Sequence, residues 1–283
     1  MKYHGWILTI TGILAGHQSV LGNIIFSQDF SSFPNGPIAQ YVSATPTSGQ
    51  WNTLSASGSG TSITVANGGL TVTRGTSGGS GFSRTTDFTP TPESLMFKFS
   101  FSLNQSTAPA DTAAVWQVGS GFSSDPSSAE PGANVHSQFA LRITDTKGSF
   151  TLRDPKSGNQ SSVYTGGFPI TWVINNSAGP LEYTAPNGTS QTVGQDRWDL
   201  WYGGSRVLAG QQAETPGQSL SDIKFAFASG SGAVTLDNIS INNLSVVPEP
   251  AMAGTVTGAL VAVMTFIAKM RRNTLRRQSS SAA

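Results

Sequence analysis

Apolar and polar residues alternate along much of the chain with a period of two, which is typical of half-buried β-strands. The clearest stripe covers residues 95–103, whose apolar members fall on one face: Leu95, Phe97, Phe99, Phe101 and Leu103. Residues 62–66 and 69–74 alternate in the same way on either side of Asn67-Gly68, a dipeptide that favours a tight hairpin turn. The pattern therefore predicts one long central strand and one β-hairpin.

Further short apolar runs follow, and residues that favour turns separate nearly all of them. The runs are 114–118, 138–144, 149–153, 170–174, 198–202, 223–228, 234–236 and 239–246. About a dozen strands without an amphipathic helix between them predict an all-β fold, an antiparallel two-sheet sandwich. The Gly-rich stretch 75–81 is predicted to form turns, and residues 119–134 are the longest candidate for a flexible or binding loop.

Composition fits one large domain with processing segments at its ends, because 37% of the 283 residues are hydrophobic and only 11% are charged. The chain has no cysteine, which excludes disulfides, thiolate metal sites and cysteine nucleophiles. Residues 24–247 carry ten basic and fourteen acidic side chains, a net charge near −4. This acidic body argues against a nucleic-acid partner, which requires a basic face.

The N-terminus has the order of features of an export signal. Lys2 and His4 precede an uncharged, mostly apolar stretch at 6–15, and small residues follow it. We expect a signal peptide over residues 1–22 and a mature chain that begins near Asn23. Cleavage after Gly16 is an alternative, and a buried first strand is the competing interpretation of the apolar stretch.

The C-terminus carries a second apolar segment, residues 251–268, with no charge over eighteen positions. As a helix it would extend about 27 Å, just enough to span a bilayer. Five cations follow it: Lys269, Arg271, Arg272, Arg276 and Arg277. Such a cluster places the tail in the cytoplasm and the body across the membrane. The alternative for the apolar segment is a buried core helix, and the alternative for the cations is a nucleic-acid-binding tail. Residues 278–283 form a polar end.

Val247-Pro248-Glu249-Pro250 stands directly before this helix, and its two prolines favour an exposed, extended peptide. The succession of this motif, an apolar helix and an Arg cluster over residues 247–277 resembles the PEP-CTERM sorting signal of Gram-negative bacteria. The resemblance implies that an exosortase, an integral-membrane protease or transpeptidase, recognises Pro248, Glu249 and Pro250. The chain would lie transiently in the inner membrane, and the mature protein would end at the cell surface or outside the cell, often beside exopolysaccharide.

The body, residues 23–246, has a second resemblance. Its Phe-Ser-Gln-Asp-Phe opening at 26–30, its Phe-rich middle strand and the closing run 236–241 resemble concanavalin-like, laminin-G-like jelly rolls. The resemblance implies a glycan-binding or adhesive scaffold. A secreted glycan-active hydrolase of the same fold is the alternative, and a calcium-dependent carbohydrate-binding module is a third hypothesis.

Catalytic residue types are sparse in the body. His136 is its only histidine, which excludes a multi-histidine zinc site, and we expect this residue at the surface or at a strand edge. The four glutamates, Glu93, Glu130, Glu182 and Glu214, do not fall in the Glu-x-Asp-x-x-Glu pattern that places two carboxylates on one face of a strand. We therefore predict a protein that is not an enzyme, although the sequence leaves pairing of carboxylates in space open.

Two further sets of residues are candidates for ligand contact. Trp198 and Trp201 are three positions apart, an odd offset, and should face opposite sides of a strand, so one of them, beside Tyr202 or Arg197, is a candidate for stacking on a sugar. The alternative is that the outward-facing tryptophan packs against a loop that covers it. We predict no cofactor, but Asp29 and Asp237 would approach each other if the first and last strands pair, and they are then candidates for binding calcium. Capping of turns is the alternative for both carboxylates.

Overall fold

A computed structural model describes residues 22–31 and 38–244. The predicted sorting signal at 247–277 and the polar tail lie outside these ranges, as does the predicted signal peptide except for Gly22. These assignments stay predictions. Within the described ranges, no helix has the length and apolar character needed to cross a membrane.

The described residues form seventeen strands and two short 3-10 helices, Ile38–Tyr41 and Gly132–Asn134. In chain order the strands are β1 (Asn23–Gln28), β2 (Thr53–Ser57), β3 (Ser62–Ala66), β4 (Gly69–Arg74), β5 (Gly79–Arg84), β6 (Ser94–Ala108), β7 (Ala110–Gly119), β8 (Val135–Ile143), β9 (Ser149–Arg153), β10 (Tyr164–Thr165), β11 (Gly167–Asn175), β12 (Leu181–Thr184), β13 (Ser190–Val193), β14 (Arg197–Tyr202), β15 (Ser205–Gln212), β16 (Asp222–Phe227) and β17 (Ser231–Asn243). The predicted all-β class is confirmed.

Two large antiparallel sheets contain all strands except one hairpin. The eight-stranded sheet has the order β15-β14-β11-β6-β17-β4-β3, with β1 also paired to β17. The seven-stranded sheet has the order β10-β9-β8-β7-β16-β5-β2, and β12 pairs only with β13. One hydrophobic core draws residues from both large sheets, so the predicted pair of packed antiparallel sheets is confirmed.

The central strand is β6, as the sequence predicts. The five apolar residues of its stripe, from Leu95 to Leu103, are each at most 5% exposed. Phe99 of this strand packs against Trp116 of the opposite sheet, with ring centroids 5.6 Å apart. Trp116 in turn stacks on Phe139 at 4.8 Å. Burial of each such side chain contributes about 1.5–3 kcal/mol, which makes this aromatic layer a main source of stability.

The predicted hairpin is formed by β3 and β4. Its two turn residues, Asn67 and Gly68, have φ values of 53° and 73°. Positive φ at both central positions defines the turn that matches the twist of the flanking strands, and Asn-Gly is the sequence that tolerates it. Ile63 and Val65 point into the core, while Ser62 and Thr64 are exposed. The sequence therefore predicted both the turn and the facing of the strands correctly.

The Gly-rich stretch was predicted to form turns, and for residues 79–81 this prediction is wrong. These residues begin β5, which lies between β16 and β2 in the seven-stranded sheet. A Cβ atom on Gly79 would lie 2.2 Å from the carbonyl oxygen of Ser127, and one on Gly81 would lie 2.0 Å from that of Phe225. The glycines are thus needed where other backbone segments pass close to the strand, not for a turn.

Residues 119–134 were predicted to be flexible or to bind a ligand, but the structure packs them on the seven-stranded sheet. The fully buried Lys224 of β16 forms an ion pair with Glu130. Its Nζ atom also donates hydrogen bonds to Ser123 Oγ at 3.0 Å and to the carbonyl oxygen of Asp125 at 2.8 Å. Burial acts to raise the pKa of Glu130, but hydrogen bonds from Lys224 and Ser123 outweigh it and lower the pKa. The segment is therefore held in place by a buried charge pair.

Candidate functional site

A groove of about 270 Å³ lies on the eight-stranded sheet, where β11, β6 and β17 run side by side. Two rows of residues cross these three strands. The first row is Gly167, Ser102 and Thr235, and the second is Pro169, Ser100 and Asp237. Strands are spaced by about 4.8 Å, so the groove is about 10 Å wide across the sheet. Phe101 and Phe168, which pair between the two rows, also line it. We call the six residues of the two rows the sheet groove.

Alternation along the strands places the sheet groove on the outer face. Phe101 and Leu236, which pair between the two rows, are at most 3% exposed and belong to the core. Their neighbours along each strand must therefore point away from the core. Ser100, Ser102, Thr235 and Asp237 are all partly exposed, as this requires. The same alternation that builds the core thus lines the groove with hydroxyls and one carboxylate.

Polar side chains with hydroxyl groups extend from the groove onto the neighbouring strand β4. Thr235 Oγ1 lies 2.9 Å from Thr71 Oγ1 of β4. Ser102 Oγ donates to Asn104 Oδ1 at 2.9 Å. Each of these groups can both donate and accept, so the face presents an adaptable polar surface.

Asp237 is the only carboxylate among the residues that line the groove. The backbone N–H of Asn238 donates to its Oδ1 at 2.6 Å, and the Asn238 side chain donates to its Oδ2 at 2.9 Å. Partial burial raises the pKa of Asp237, and the nearby Asp29 raises it further, against the lowering effect of the Asn238 hydrogen bond. The groove therefore holds a carboxylate in a locally negative field.

Asp29 and Asp237 approach each other as predicted, because the first and last described strands, β1 and β17, pair. Both carboxylates also accept local hydrogen bonds, Asp29 from the N–H of Ser31 at 3.0 Å and Asp237 from Asn238. This matches the alternative in which they cap turns. Residues 22–31 and 38–244 contain no group of three or more His, Cys, Asp or Glu side chains placed to hold a metal. Calcium binding at Asp29 and Asp237 stays a prediction from the sequence.

The predicted glycan contacts Trp198, Trp201 and Tyr202 are buried, at 1%, 2% and 6% exposure. The sequence correctly predicted that the two tryptophans face opposite sides of β14, since Trp198 lies in the main core and Trp201 in a separate apolar cluster. The prediction that one of them is exposed for a sugar is wrong. The reason is the β12–β13 hairpin, whose Leu181 and Tyr183 cover Trp201 on the outer face.

A buried hydrogen-bond network fixes this hairpin to the sheet. Tyr183 Oη donates to Asp199 Oδ2 at 2.6 Å and accepts a hydrogen bond from Trp201 Nε1 at 2.9 Å. Arg206 contacts both, with Nη1 3.3 Å from Asp199 Oδ2 and its guanidinium over the Trp201 ring. Burial, with Asp199 beside it, raises the pKa of Tyr183. Trp201 therefore packs beneath the hairpin. This matches the alternative interpretation, in which the outward-facing tryptophan is covered rather than free to bind a sugar.

His136 is fully buried, so the prediction of a surface or strand-edge position is wrong. Its Nδ1 lies 2.8 Å from Ser137 Oγ, and its Nε2 lies 3.4 Å from Asp196 Oδ1. Burial lowers the pKa of His136, while Asp196 acts to raise it. Ser137 is also fully buried, so neither this histidine nor this serine has access to a substrate, whereas the Asp196 side chain is partly exposed.

The residues of the sheet groove were not singled out from the sequence, except Asp237. A signal was present, because Ser100 and Ser102 are the polar members of the Phe-rich stripe and must face away from the core. Nothing in the sequence around Gly167 indicated that this residue would line a groove. A Cβ atom there would lie 2.6 Å from the carbonyl oxygen of Phe101, so its role depends on a strand distant in sequence.

No protein-family model and no curated protein matches the sequence. Among solved structures, the chain is similar to lectin II from Ulex europaeus, with 12% identity, a TM-score of 0.39 and coverage of 68% of this chain and 92% of the lectin. It is also similar to a chain described among endo-acting O-glycanases of the human gut microbiota, with 11% identity, a TM-score of 0.46 and coverage of 79% and 100%.

A third similar structure is the catalytic domain of a glycoside hydrolase family 131 protein from Coprinopsis cinerea. It has 14% identity and a TM-score of 0.37, with coverage of 78% of this chain and 94% of that domain. Similarity at this level carries no argument about what the chain does. The functional proposal therefore has to come from the chain's own residues.

Proposed function

We propose that the protein is an exported, non-catalytic β-sandwich of the jelly-roll class that binds a glycan in the sheet groove. The observation that carries this proposal is the composition of the groove, which combines Ser100, Ser102 and Thr235 with one carboxylate, Asp237, on an accessible sheet face. Sugars are recognised by such groups, because each sugar hydroxyl needs both a donor and an acceptor. A carboxylate gives the stronger, charge-assisted hydrogen bonds.

The size of the groove limits the ligand it holds. Its volume of about 270 Å³ lies just below the range of about 300–1,000 Å³ that is typical of sites enclosing drug-sized molecules. We expect the groove to hold one or two sugar units of a longer chain rather than to enclose a whole oligosaccharide.

Binding of a panel of neutral and acidic polysaccharides to the purified full-length protein tests the proposal. We expect micromolar to millimolar affinity for at least one neutral glycan and a loss of about ten-fold or more in Asp237→Asn. Asp111→Asn is the matched control, because Asp111 has a side chain that is 75% exposed and does not line the groove. Equal affinity of wild type and Asp237→Asn would place the binding site elsewhere.

Hydrolysis of a glycan is the second candidate function, and the pair of Asp29 and Asp237 favours it. Partial burial and the charge of Asp29 raise the pKa of Asp237, whereas hydrogen bonds from Ser31 lower the pKa of Asp29. A glycosidase needs one carboxyl that donates a proton and another that stays ionised, and the two shifts have the directions that these roles require. Asp29 itself does not line the groove.

Release of reducing ends from the bound polysaccharide separates the two candidates. The binding function predicts no release beyond that of a buffer blank. Release that disappears in both Asp29→Asn and Asp237→Asn would establish the hydrolase instead. Release that survives both substitutions would point to a contaminating enzyme.

We also propose that an exosortase processes the chain after Val247-Pro248-Glu249-Pro250 has reached the membrane surface. The support is the sequence alone, in which this motif precedes an uncharged segment and five cations. Mass spectrometry of both termini of the protein from its native host tests it. We expect a start near Asn23 and an end close to Pro250, and an intact C-terminus through Ala283 would refute the sorting proposal.

A further inference from the structure

Two large apolar side chains are exposed close together in sequence, on either side of a connection between the sheets. Val163 is 62% exposed and directly precedes β10, while Phe168 is 55% exposed and lies in β11. The two strands belong to different sheets and are joined by Gly166 alone, at a φ of 80°. This turn therefore closes one end of the sandwich, and the exposed apolar groups lie at that end.

Aromatic rings from both sheets meet here. Phe168 packs edge-on against Tyr202, with ring centroids 5.2 Å apart. Tyr164 of β10 lies 4.5 Å from the same ring, and Phe150 of β9 lies 5.9 Å from it. We call these four residues the aromatic end cluster. Its exposed ring offers a flat apolar surface of the kind that packs against the C–H face of a sugar.

Tyr202 adds a polar group that needs a partner. Its hydroxyl is buried and has no hydrogen-bond partner within the described part of the chain. Burial, together with Tyr164, raises the pKa of Tyr202 to about 12, so the hydroxyl is a neutral donor at ordinary pH. Buried hydroxyls without a partner are uncommon and destabilising, so the removal of this one should not weaken the fold.

The end cluster is continuous with the sheet groove. Phe168 and its two neighbours in β11, Gly167 and Pro169, all line the groove, although the Phe168 side chain lies on the same side of the strand as the buried Ile170. Phe168 thus belongs to both surfaces. Gly167 is the first residue of the strand and has no side chain, so a chain ligand that leaves the groove can pass over it toward Phe168.

We infer that the aromatic end cluster is a second sugar subsite, in which one ring of an oligosaccharide stacks on the exposed ring of Phe168. This inference rests on the proposed function, because the groove holds the adjoining sugar. It names the ligand class as a chain of at least two units with an apolar ring face, rather than a single monosaccharide.

Calorimetry with a length series of oligosaccharides from the best-binding polysaccharide tests the subsite. For the wild-type full-length protein, affinity should rise with length until both positions are filled. Phe168→Ala should remove that rise, with about ten-fold weaker binding of the longer oligosaccharides and unchanged binding of the shortest. Ile24→Ala is the control, because Ile24 is exposed to a similar extent, 59%, on β1.

Tyr202→Phe is a second control, which changes the end cluster without removing the ring that Phe168 packs against. The variant removes only the hydroxyl that has no partner among the described residues, so its thermal stability should equal or exceed that of the wild type. Its affinity for the longer oligosaccharides should match that of the wild type, because the buried hydroxyl does not reach a ligand stacked on Phe168. A several-fold loss of affinity in this variant would show that the ligand enters the cluster instead of stacking on Phe168 and would overturn the inference.

The outcomes separate this subsite from the groove. If the wild type binds no oligosaccharide of any length, the proposed function fails and the subsite fails with it. If the wild type binds, Asp237→Asn weakens even the shortest ligand and Phe168→Ala matches the wild type throughout, the groove stands and the subsite is refuted.

Discussion

Asp237, the carboxylate of the proposed glycan site, also affects the stability of the protein. Its carboxylate accepts hydrogen bonds from Asn238 and lies in the field of Asp29, on a face where a ligand can reach it. A group held for binding often costs stability in the free protein. Because the pKa of Asp237 is raised in the folded protein, the effect of this carboxylate on the free energy of unfolding can be measured as a function of pH.

We expect Asp237→Asn to stabilise the free protein at pH 7. A folded-state pKa above the ordinary value of 3.8 means that the folded protein holds this proton more tightly than the unfolded chain. Stability therefore falls as pH rises from about 3.8 through the raised pKa, and the full cost remains at neutral pH. Urea unfolding should show a higher midpoint for the variant at pH 7 and no difference below the ordinary pKa. A lower midpoint at pH 7 would contradict this account.

The buried ion pair of Lys224 and Glu130 makes a second residue-scale prediction. Their side chains are 0% and 5% exposed, so Glu130→Leu leaves an ammonium group buried without its carboxylate. We expect a loss of about 3–5 kcal/mol in the free energy of unfolding. The double variant Glu130→Leu/Lys224→Met should recover most of it, because it removes both charges. Equal stability of the single and double variants would show that Ser123 and Asp125 satisfy Lys224 alone.

The strands of this fold differ in how well their own sequences predict an extended conformation. The alternation in β6 and the Asn-Gly turn between β3 and β4 are local signals, and both were predicted correctly. β5 has the sequence Gly-Ser-Gly-Phe-Ser-Arg, which by itself indicates turns. Its extended form depends on the backbone of residues 126–127 and of β16 passing within reach, contacts that no local pattern contains.

The same limit applies to the candidate site. The outward facing of Ser100 and Ser102 follows from the pattern of β6, whereas their alignment with Thr235 and Asp237 depends on a register between strands more than a hundred residues apart. The burial of Trp201 likewise depends on the β12–β13 hairpin, a separate pair of strands outside both large sheets. The sequence did not show which distant strands pair with each other, or in which register.

The β12–β13 hairpin supports a prediction at the level of one element. Tyr183→Phe removes the hydroxyl that bonds Asp199 and Trp201, two residues that are at most 2% exposed. We expect a loss of about 1–3 kcal/mol, with faster hydrogen exchange confined to the hairpin amides. Tyr202→Phe is the matched comparison, because that hydroxyl has no partner among the described residues and its removal should cost nothing.

Net charge acts on the whole molecule. Residues 24–247 carry a charge near −4, and the carboxylate of the groove has the same sign. We expect neutral glycans to bind more tightly than uronic-acid polymers of equal length at low ionic strength, with the difference shrinking as added salt screens the repulsion. Tighter binding of a polyuronate in low salt would contradict a negative groove.

The pairing of β1 with β17 also decides how the molecule bears a load. Asn23 lies opposite Asn243, so a pull between the two ends of the body separates the strands one hydrogen bond after another, like a zipper. A pull between a ligand at Asp237 and residue 243 instead runs along β17 itself. Between these residues that strand is paired to β6 on one side and to β1 on the other, so hydrogen bonds on both sides resist together. A protein held by its C-terminal end would thus carry tension from a glycan through its most heavily bonded strand.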